Sequence, residues 1–226
     1  MLKIHTMIHG AYAFGCRRRL SATSLDLLID LFQSPSTDKT AVLEGRVSPR
    51  FAVLPEAGPV VVKAYKRGGL ISRINKDRYF KIGRLRSQRE FDFLMAAEKA
   101  GVRVPVPVAY ACTRSPFYKV WLITKQIKDH RSFPALCRRD PEKAMTLMPE
   151  ISRNINSLIK NRIHHVDLHP GNILLDGNNT IFIIDFDKAY RYSKSKTQLA
   201  RAYQNRWTRA VHKYKLPERL LALELN

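Results

Sequence analysis

The stretch His165-Val166-Asp167-Leu168-His169-Pro170-Gly171-Asn172, with Asp185-Phe186-Asp187 beginning thirteen positions after Asn172, decides how this sequence folds. Asn172-Ile173-Leu174-Leu175-Asp176 and Thr180-Ile181-Phe182-Ile183-Ile184-Asp185 are two apolar runs joined by Gly177-Asn178-Asn179. Such a link predicts a tight antiparallel hairpin. The start of its first strand lies beside the end of its second, so Asn172 and Asp185 are expected to meet at the open end. An amide carbonyl and a carboxylate there are hard oxygen donors suited to magnesium. Asp167, five residues before Asn172, leads into the same end. Phosphoryl transfer asks for such a set: metal ligands to neutralise phosphate charge, and a carboxylate to take the attacking hydroxyl's proton. Asp167 is therefore the candidate base, and Asn172 and Asp185 the candidate metal ligands.

Working outward, the other parts of an ATP site can be sought. Val60-Val61-Val62-Lys63-Ala64-Tyr65 is a β-branched strand with one lysine set into it. Lys63 is placed like the strand lysine that pairs ATP phosphates. A buried, unpaired lysine is costly, and Glu90, on a predicted helix over Ser87–Ala100, is the expected partner in preference to Glu98. Phe91, Leu94, Met95 and Ala97 give that helix its apolar stripe, and Gly101 suits its left-handed C-cap. Glu44-Gly45-Arg46-Val47-Ser48 holds one glycine where a phosphate-covering loop commonly has three, and Gly45 is its candidate nucleotide contact. Gln126 and Ile127, where two lobes are expected to join, are further candidate nucleotide contacts. His165 is expected to brace the catalytic loop, and Lys188 either adds positive charge near the substrate or is a solvated lysine.

The remaining pattern gives strands and one helix first, then a mostly helical half. Strands are predicted over Ala41–Val47, Phe51–Leu54 and Val120–Ile127, around a turn at Glu56-Ala57-Gly58-Pro59 and a basic loop over Lys66–Lys81. Prolines keep Val104–Val108 extended. Asp140-Pro141-Glu142 reads as a helix start, followed by the stripe Met148, Ile151, Ile155, Leu158 and Ile159. Ser24–Phe32 predicts a short helix within a first block, residues 1–40, that otherwise has no assignment. The expected organisation is that extension, an N-lobe over 41–127 and a C-lobe over 128–226.

Forty Lys and Arg against nineteen Asp and Glu give the 226-residue chain a formal charge of +21. That surplus points to anionic partners: nucleic acid, acidic membrane or phosphorylated substrate. Three scattered cysteines, Cys16, Cys112 and Cys137, give no disulfide framework and are expected as inert thiols in a reducing compartment. No run reaches the length of a membrane span. The basic Arg17-Arg18-Arg19 follows the apolar N-terminal stretch instead of preceding it, the wrong order for a secretory signal.

These residues resemble the lipopolysaccharide kinases, and among them the 3-deoxy-D-manno-octulosonic acid (Kdo) kinases. The resemblance runs from about Ala41 to Tyr214. It rests on Tyr65-Lys66-Arg67-Gly68-Gly69-Leu70, Lys76-Asp77-Arg78-Tyr79-Phe80, Gly101–Val108, and His165-Val166-Asp167 with Asn172 and Ile184-Asp185-Phe186-Asp187-Lys188. It implies an α+β, protein-kinase-like two-lobe fold; about forty residues after Asp185 leave room for only a shortened second lobe. It further implies transfer of the ATP γ-phosphate to the 4-hydroxyl of Kdo on a lipid A precursor, with Mg2+. The expected place is the cytoplasmic face of a bacterial inner membrane, on its anionic surface. Carried over, Asp167 is the base, Asn172 and Asp185 hold metal, and Lys63 and Glu90 form the ion pair. His169-Pro170-Gly171 departs from the Asn-Ala-His usual in Kdo kinases.

Two alternatives stay open. One is a kinase for another acceptor, such as core heptose or a protein hydroxyl. The other is a nucleic-acid-binding protein, since Arg201–Lys215 (RAYQNRWTRAVHKYK) interleaves basic and aromatic residues. A basic amphipathic helix on a membrane gives the same string. The membrane reading is preferred because nucleic-acid binding leaves the catalytic set unexplained.

Overall fold

A computed structural model of the chain describes residues 4–34, 49–65, 79–80, 84–115 and 117–225. Gly45, the predicted strand over Ala41–Val47 and the basic loop, apart from Tyr79 and Phe80, lie outside the described residues. The chain divides into two units, Met1–Phe91 with Val106–Gln126, and Asp92–Pro105 with Ile127–Asn226.

The first unit is built on an antiparallel sheet. Its elements are β1 (His5–His9), β2 (Tyr12–Cys16), α1 (Ala22–Gln33), β3 (Arg50–Leu54), β4 (Gly58–Ala64), β5 (Tyr79–Phe80), the start of α2 (Arg86–Lys99), β6 (Pro107–Thr113), β7 (Phe117–Tyr118) and β8 (Val120–Lys125). Six strands pair in the order β1-β2-β6-β8-β4-β3, and β5 pairs with β7. The first forty residues, given no assignment from sequence apart from a short helix over Ser24–Phe32, supply two of those six strands and that helix, which is α1. Ser21 caps α1 by accepting from the Ser24 N–H, and Glu56 accepts from the Ser21 N–H at 2.6 Å and from the Ser24 hydroxyl. Leu25, Leu28 and Phe32 on α1 are buried with Phe14, Val62 and Trp121. Phe32 stacks on Trp121 with ring centroids 4.2 Å apart. Burying a side chain of that size contributes about 2–3 kcal/mol.

The second unit holds the end of α2, β9 (Arg131–Ser132), α3 (Phe133–Arg139), α4 (Pro141–Lys160), β10 (Ile163–His164), β11 (Ile173–Leu175), β12 (Ile181–Ile183), β13 (Tyr190–Arg191) and α5 (Lys196–Lys213). Short 3-10 turns span Pro170–Asn172 and Glu218–Leu221. Asp92–Pro105 groups here, although it lies inside the 41–127 segment, because its bonds run this way. Arg103 O accepts from the Ile183 N–H at 3.0 Å, Ala100 O accepts from the Ser157 hydroxyl, and Arg103 pairs with Glu150 at 3.2 Å. Gly101 has φ +80, the left-handed conformation expected at the end of α2. Phe91, Leu94 and Ala97 of the α2 stripe are buried, with Met95 half-buried. Asp140 caps α4 through the Lys143 N–H at 3.0 Å, and every member of its predicted stripe is buried. Among the described residues, no helix is long and apolar enough to cross a membrane. Burial pushes the Cys16 thiol up to about 12 and the Cys137 thiol to about 11, so neither is a ready nucleophile.

Candidate active site

The hairpin that positions the second unit's polar residues has the expected register. Ile173 pairs with Ile183 and Leu175 with Ile181. At the turn, Asp176 Oδ1 accepts from the N–H groups of Asn178 and Thr180 at 2.9 and 2.8 Å, which closes the link. At the open end, the Ile184 N–H donates to Asn172 O at 3.0 Å, so the ladder continues one step beyond β11 and β12. Asn172 and Asp185 therefore stand at one end of the hairpin.

Asp185 has φ +67, in the left-handed region that costs a non-glycine residue about 1–3 kcal/mol. Asparagine and aspartate tolerate it best, and here it turns the chain directly after β12. Asn172 Nδ2 donates to Asp167 O at 2.9 Å. That bond fixes the amide and leaves its oxygen without a protein donor among the described residues. The amide oxygen and the Asp185 carboxylate are both hard donors, as a divalent ion such as magnesium prefers. Among the described residues there is no group of three or more His, Cys, Asp and Glu that could hold a metal ion. A metal here would rest on this mixed pair.

Two histidines brace the loop between β10 and β11. His165 is fully buried, its Nε2 donates to Ile184 O at 2.8 Å, and its ring packs edge-on against Phe186 at 4.5 Å. Its Nδ1 has no partner among the described residues. Burial therefore holds its pKa below the usual imidazole range, against the opposing pull of Asp185 and Asp167. The ring is a neutral brace. His169 Nδ1 accepts from the Gly171 N–H at 2.9 Å, so its proton sits on Nε2, 4.0 Å from Asp167 Oδ2. Burial, then the positive charge of Arg206, lowers the His169 pKa as well. A Cβ on Gly171 would lie 2.7 Å from the His169 ring, which explains a glycine at that position.

Two residues of this site escape the sequence reading. Arg206 on α5 donates to Asp167 Oδ1 through Nε at 3.0 Å and Nη2 at 2.6 Å. Tyr203, one turn earlier, accepts from the His165 N–H at 2.8 Å and donates to Ile163 O at 2.7 Å. Leu199, Tyr203, Trp207, Ala210 and Val211 are the buried residues of α5, and Trp207 Nε1 donates to Leu220 O at 2.7 Å. Two of the string's three tyrosine and tryptophan side chains, Tyr203 and Trp207, are therefore core and cannot serve as stacking platforms or membrane wedges, whereas Tyr214 is half-buried beside the His169 ring. The spacing 199, 203, 207, 210 is the signal that could have shown this. Lys188 is exposed on the turn after Asp187.

In the first unit, Lys63 Nζ lies 3.0 and 3.1 Å from the two carboxylate oxygens of Glu90. Tyr65 donates its hydroxyl to Glu90 Oε2, and Arg86 stacks over the Tyr65 ring at 5.2 Å. The Lys63 side chain is 37% exposed and that of Glu90 3%, so the ammonium is the accessible end. Glu90 is thus the carboxylate placed beside Lys63. The Gln126 N–H donates to Pro59 O at 3.0 Å, and Ile127 O accepts from His130 Nδ1 at 3.0 Å. Those two backbone groups are already engaged. Gly45 lies outside the described residues.

With this geometry in place, known proteins can be compared. The chain is 34% identical to the 3-deoxy-D-manno-octulosonic acid kinase of Vibrio vulnificus (strain YJ016) over 149 residues, 65% of this chain and 62% of that protein. It is 32% identical to the 3-deoxy-D-manno-octulosonic acid kinase of Xylella fastidiosa (strain 9a5c) over 182 residues, 79% of this chain and 71% of that protein. The Vibrio match thus spans less than two thirds of its relative's length. The profile of the lipopolysaccharide kinase (Kdo/WaaP) family matches residues 36–216, and the α+β architecture agrees with it. The chain belongs to the lipopolysaccharide kinase (Kdo/WaaP) family.

Proposed function

We propose that this chain transfers the γ-phosphate of ATP to the 4-hydroxyl of Kdo on a lipid A precursor. The observation that carries this reading is the meeting of Asn172 and Asp185 at the open end of a hairpin, with Asp167 bonded to Asn172 through its own carbonyl. The family and the names of the relatives support the sugar acid as acceptor. In the reaction, the acceptor oxygen forms a bond to the γ-phosphorus as the bond to the β,γ-bridging oxygen breaks. ADP leaves, and the hydroxyl proton passes to the Asp167 carboxylate.

Lys63, held by Glu90, is assigned to the ATP phosphates. Asn172 and Asp185 would hold Mg2+, which when bound spreads the phosphate charge. Gly45, Gln126 and Ile127 are kept as nucleotide contacts. For Gln126 and Ile127 these run through their side chains or remaining backbone groups, since Gln126 N–H and Ile127 O are engaged. The proposed setting is the cytoplasmic face of the inner membrane. The formal charge of +21 supports it, as do Lys196, Arg201, Arg209 and Lys213 on the exposed side of α5. Each basic group near an anionic surface contributes about 1 kcal/mol.

Purified chain with labelled ATP should label a Kdo-lipid A acceptor, and Asp167→Asn should abolish it. Labelling of a heptosylated core or a protein while Kdo-lipid A stays unlabelled would sink the assignment of acceptor. Full activity in Asp167→Asn would sink the assignment of the base.

A further inference from the structure

We propose that Arg206 is the residue that recognises the acceptor's carboxylate and sets it at a fixed distance from the base. The inference rests on the reading of the acceptor as a sugar acid. It starts from a count of hydrogen-bonding positions. A guanidinium has five N–H donors in a planar fork. Arg206 spends Nε–H and one Nη2–H on a single oxygen, Asp167 Oδ1. Among the described residues it makes no other hydrogen bond, so both Nη1 protons and the second Nη2 proton remain to be used. One proton of Nη1 and the free proton of Nη2 lie along the Nη1–Nη2 edge, where a guanidinium grips a carboxylate with two parallel bonds.

The opposite edge is locked. Asp167 holds it on one side, and α5 is tied down on either side of Arg206. Tyr203, three residues earlier, bridges Ile163 O and the His165 N–H through its buried hydroxyl. Trp207, the next residue, is anchored to Leu220 O. The guanidinium is thus a preorganised anion site, placed by the fold beside the candidate base, and its side chain is 23% exposed. Its arrangement leaves Asp167 Oδ2 for the acceptor hydroxyl, since Oδ1 already takes two donors and His169 Nε2 stands 4.0 Å from Oδ2. An acceptor carrying both a hydroxyl and a carboxylate would meet Oδ2 with the first and Arg206 with the second. A neutral sugar would leave the fork unpaired, and a site with an unpaired charged donor discriminates against such a ligand.

The second anion in the reaction, the ATP γ-phosphate, offers the same chemistry to a guanidinium, so the test separates the two. Kdo-lipid A and its carboxamide analogue are compared as acceptors, with wild type, Arg206→Gln and Arg206→Lys, and KM for ATP is measured in parallel. Wild type should prefer the acid on the order of ten- to a hundredfold in kcat/KM. Arg206→Gln should bring that preference to near unity, and Arg206→Lys, which keeps charge without the fork, should restore part of it. Equal use of acid and amide by wild type overturns the proposal while leaving the Kdo assignment intact. So does a preference that survives in Arg206→Gln, or an effect confined to KM for ATP. A wild-type enzyme that uses neither glycolipid, but labels another acceptor, overturns the acceptor assignment and this proposal together. If Arg206→Gln does not fold, the acid-to-amide ratio in wild type and Arg206→Lys still decides the matter.

Discussion

Each unit of the molecule holds one ion pair in its candidate machinery, and the two pairs differ in which partner is exposed. In the first unit the carboxylate of Glu90 is 3% exposed and the ammonium of Lys63 37%. In the second, the carboxylate of Asp167 is 44% exposed and the guanidinium of Arg206 23%. One pair shows its cation outward, which suits the phosphate contact proposed for Lys63. The other shows its anion outward, which suits the proton acceptor proposed in Asp167. The inner partner in each case is held by further bonds: the Tyr65 hydroxyl on Glu90, and the anchored α5 behind Arg206. The two pairs use the same charge types, and which end is accessible separates them.

The comparison breaks most plainly at its outward ends. Asp167→Asn should lower phosphate transfer by roughly 10²- to 10⁴-fold, the range for removing a general base, with an unchanged circular dichroism spectrum. Comparable activity in the variant would mean that the exposed carboxylate is not the working end. Lys63→Ala should also lose transfer while staying folded. It leaves Glu90 buried with the Tyr65 hydroxyl, and because the lysine is partly exposed the stability cost should be only about 1–2 kcal/mol by denaturant titration. A much larger loss of stability would recast this pair as structural.

The inner supports sharpen the contrast. Tyr203→Phe removes the hydroxyl that bridges Ile163 O and the His165 N–H, leaving two buried backbone groups unpaired. A loss of about 1–3 kcal/mol is expected in urea unfolding, with transfer reduced through the loop and not abolished. Retained stability would show that another group takes the bridge's place.

A pH effect just below neutrality is expected from the histidines of the second unit. His165 has a folded pKa below its reference of 6.5, so above 6.5 both states hold the neutral ring and the stabilisation is full. As pH falls below 6.5 the unfolded chain binds the proton first and stability declines. His164 and His169 are lowered as well and act in the same direction. The thermal midpoint should drop between pH 7.5 and 5.5, and His165→Gln should flatten the slope. An unchanged slope in that variant would place the titration elsewhere.

What could be read from sequence follows from how local each signal is. The hairpin was legible because two apolar runs, a Gly-Asn-Asn link and polar ends fix its register without help from the rest of the chain. Lys63 was legible because a lone lysine in a β-branched run has to be accounted for, and Glu90 because it lies on the next helix while its competitor Glu98 stands near the helix end, where solvent suits it better. Arg206 and Tyr203 were not. Their string is basic and aromatic, and composition suggested an exposed helix, whereas the four-residue spacing of Leu199, Tyr203 and Trp207 puts Tyr203 and Trp207 inside. Nothing local links residue 206 to residue 167; only the packing of α5 does. The β1–β2 hairpin was missed because strands of five residues carry little pattern, β1 alternating and β2 running from half-buried to buried, and because their place depends on pairing with β6, about a hundred residues on.

The close approach of Gly171 to the His169 ring bears on how such a loop can change over time. The ring is held by the Gly171 N–H and is largely buried, so it cannot swing aside to admit a side chain at 171. With His169 in this place a side chain at 171 is excluded. A lineage that gains one there has to surrender His169 first or in the same step, so the two positions change in a fixed order and not by independent drift.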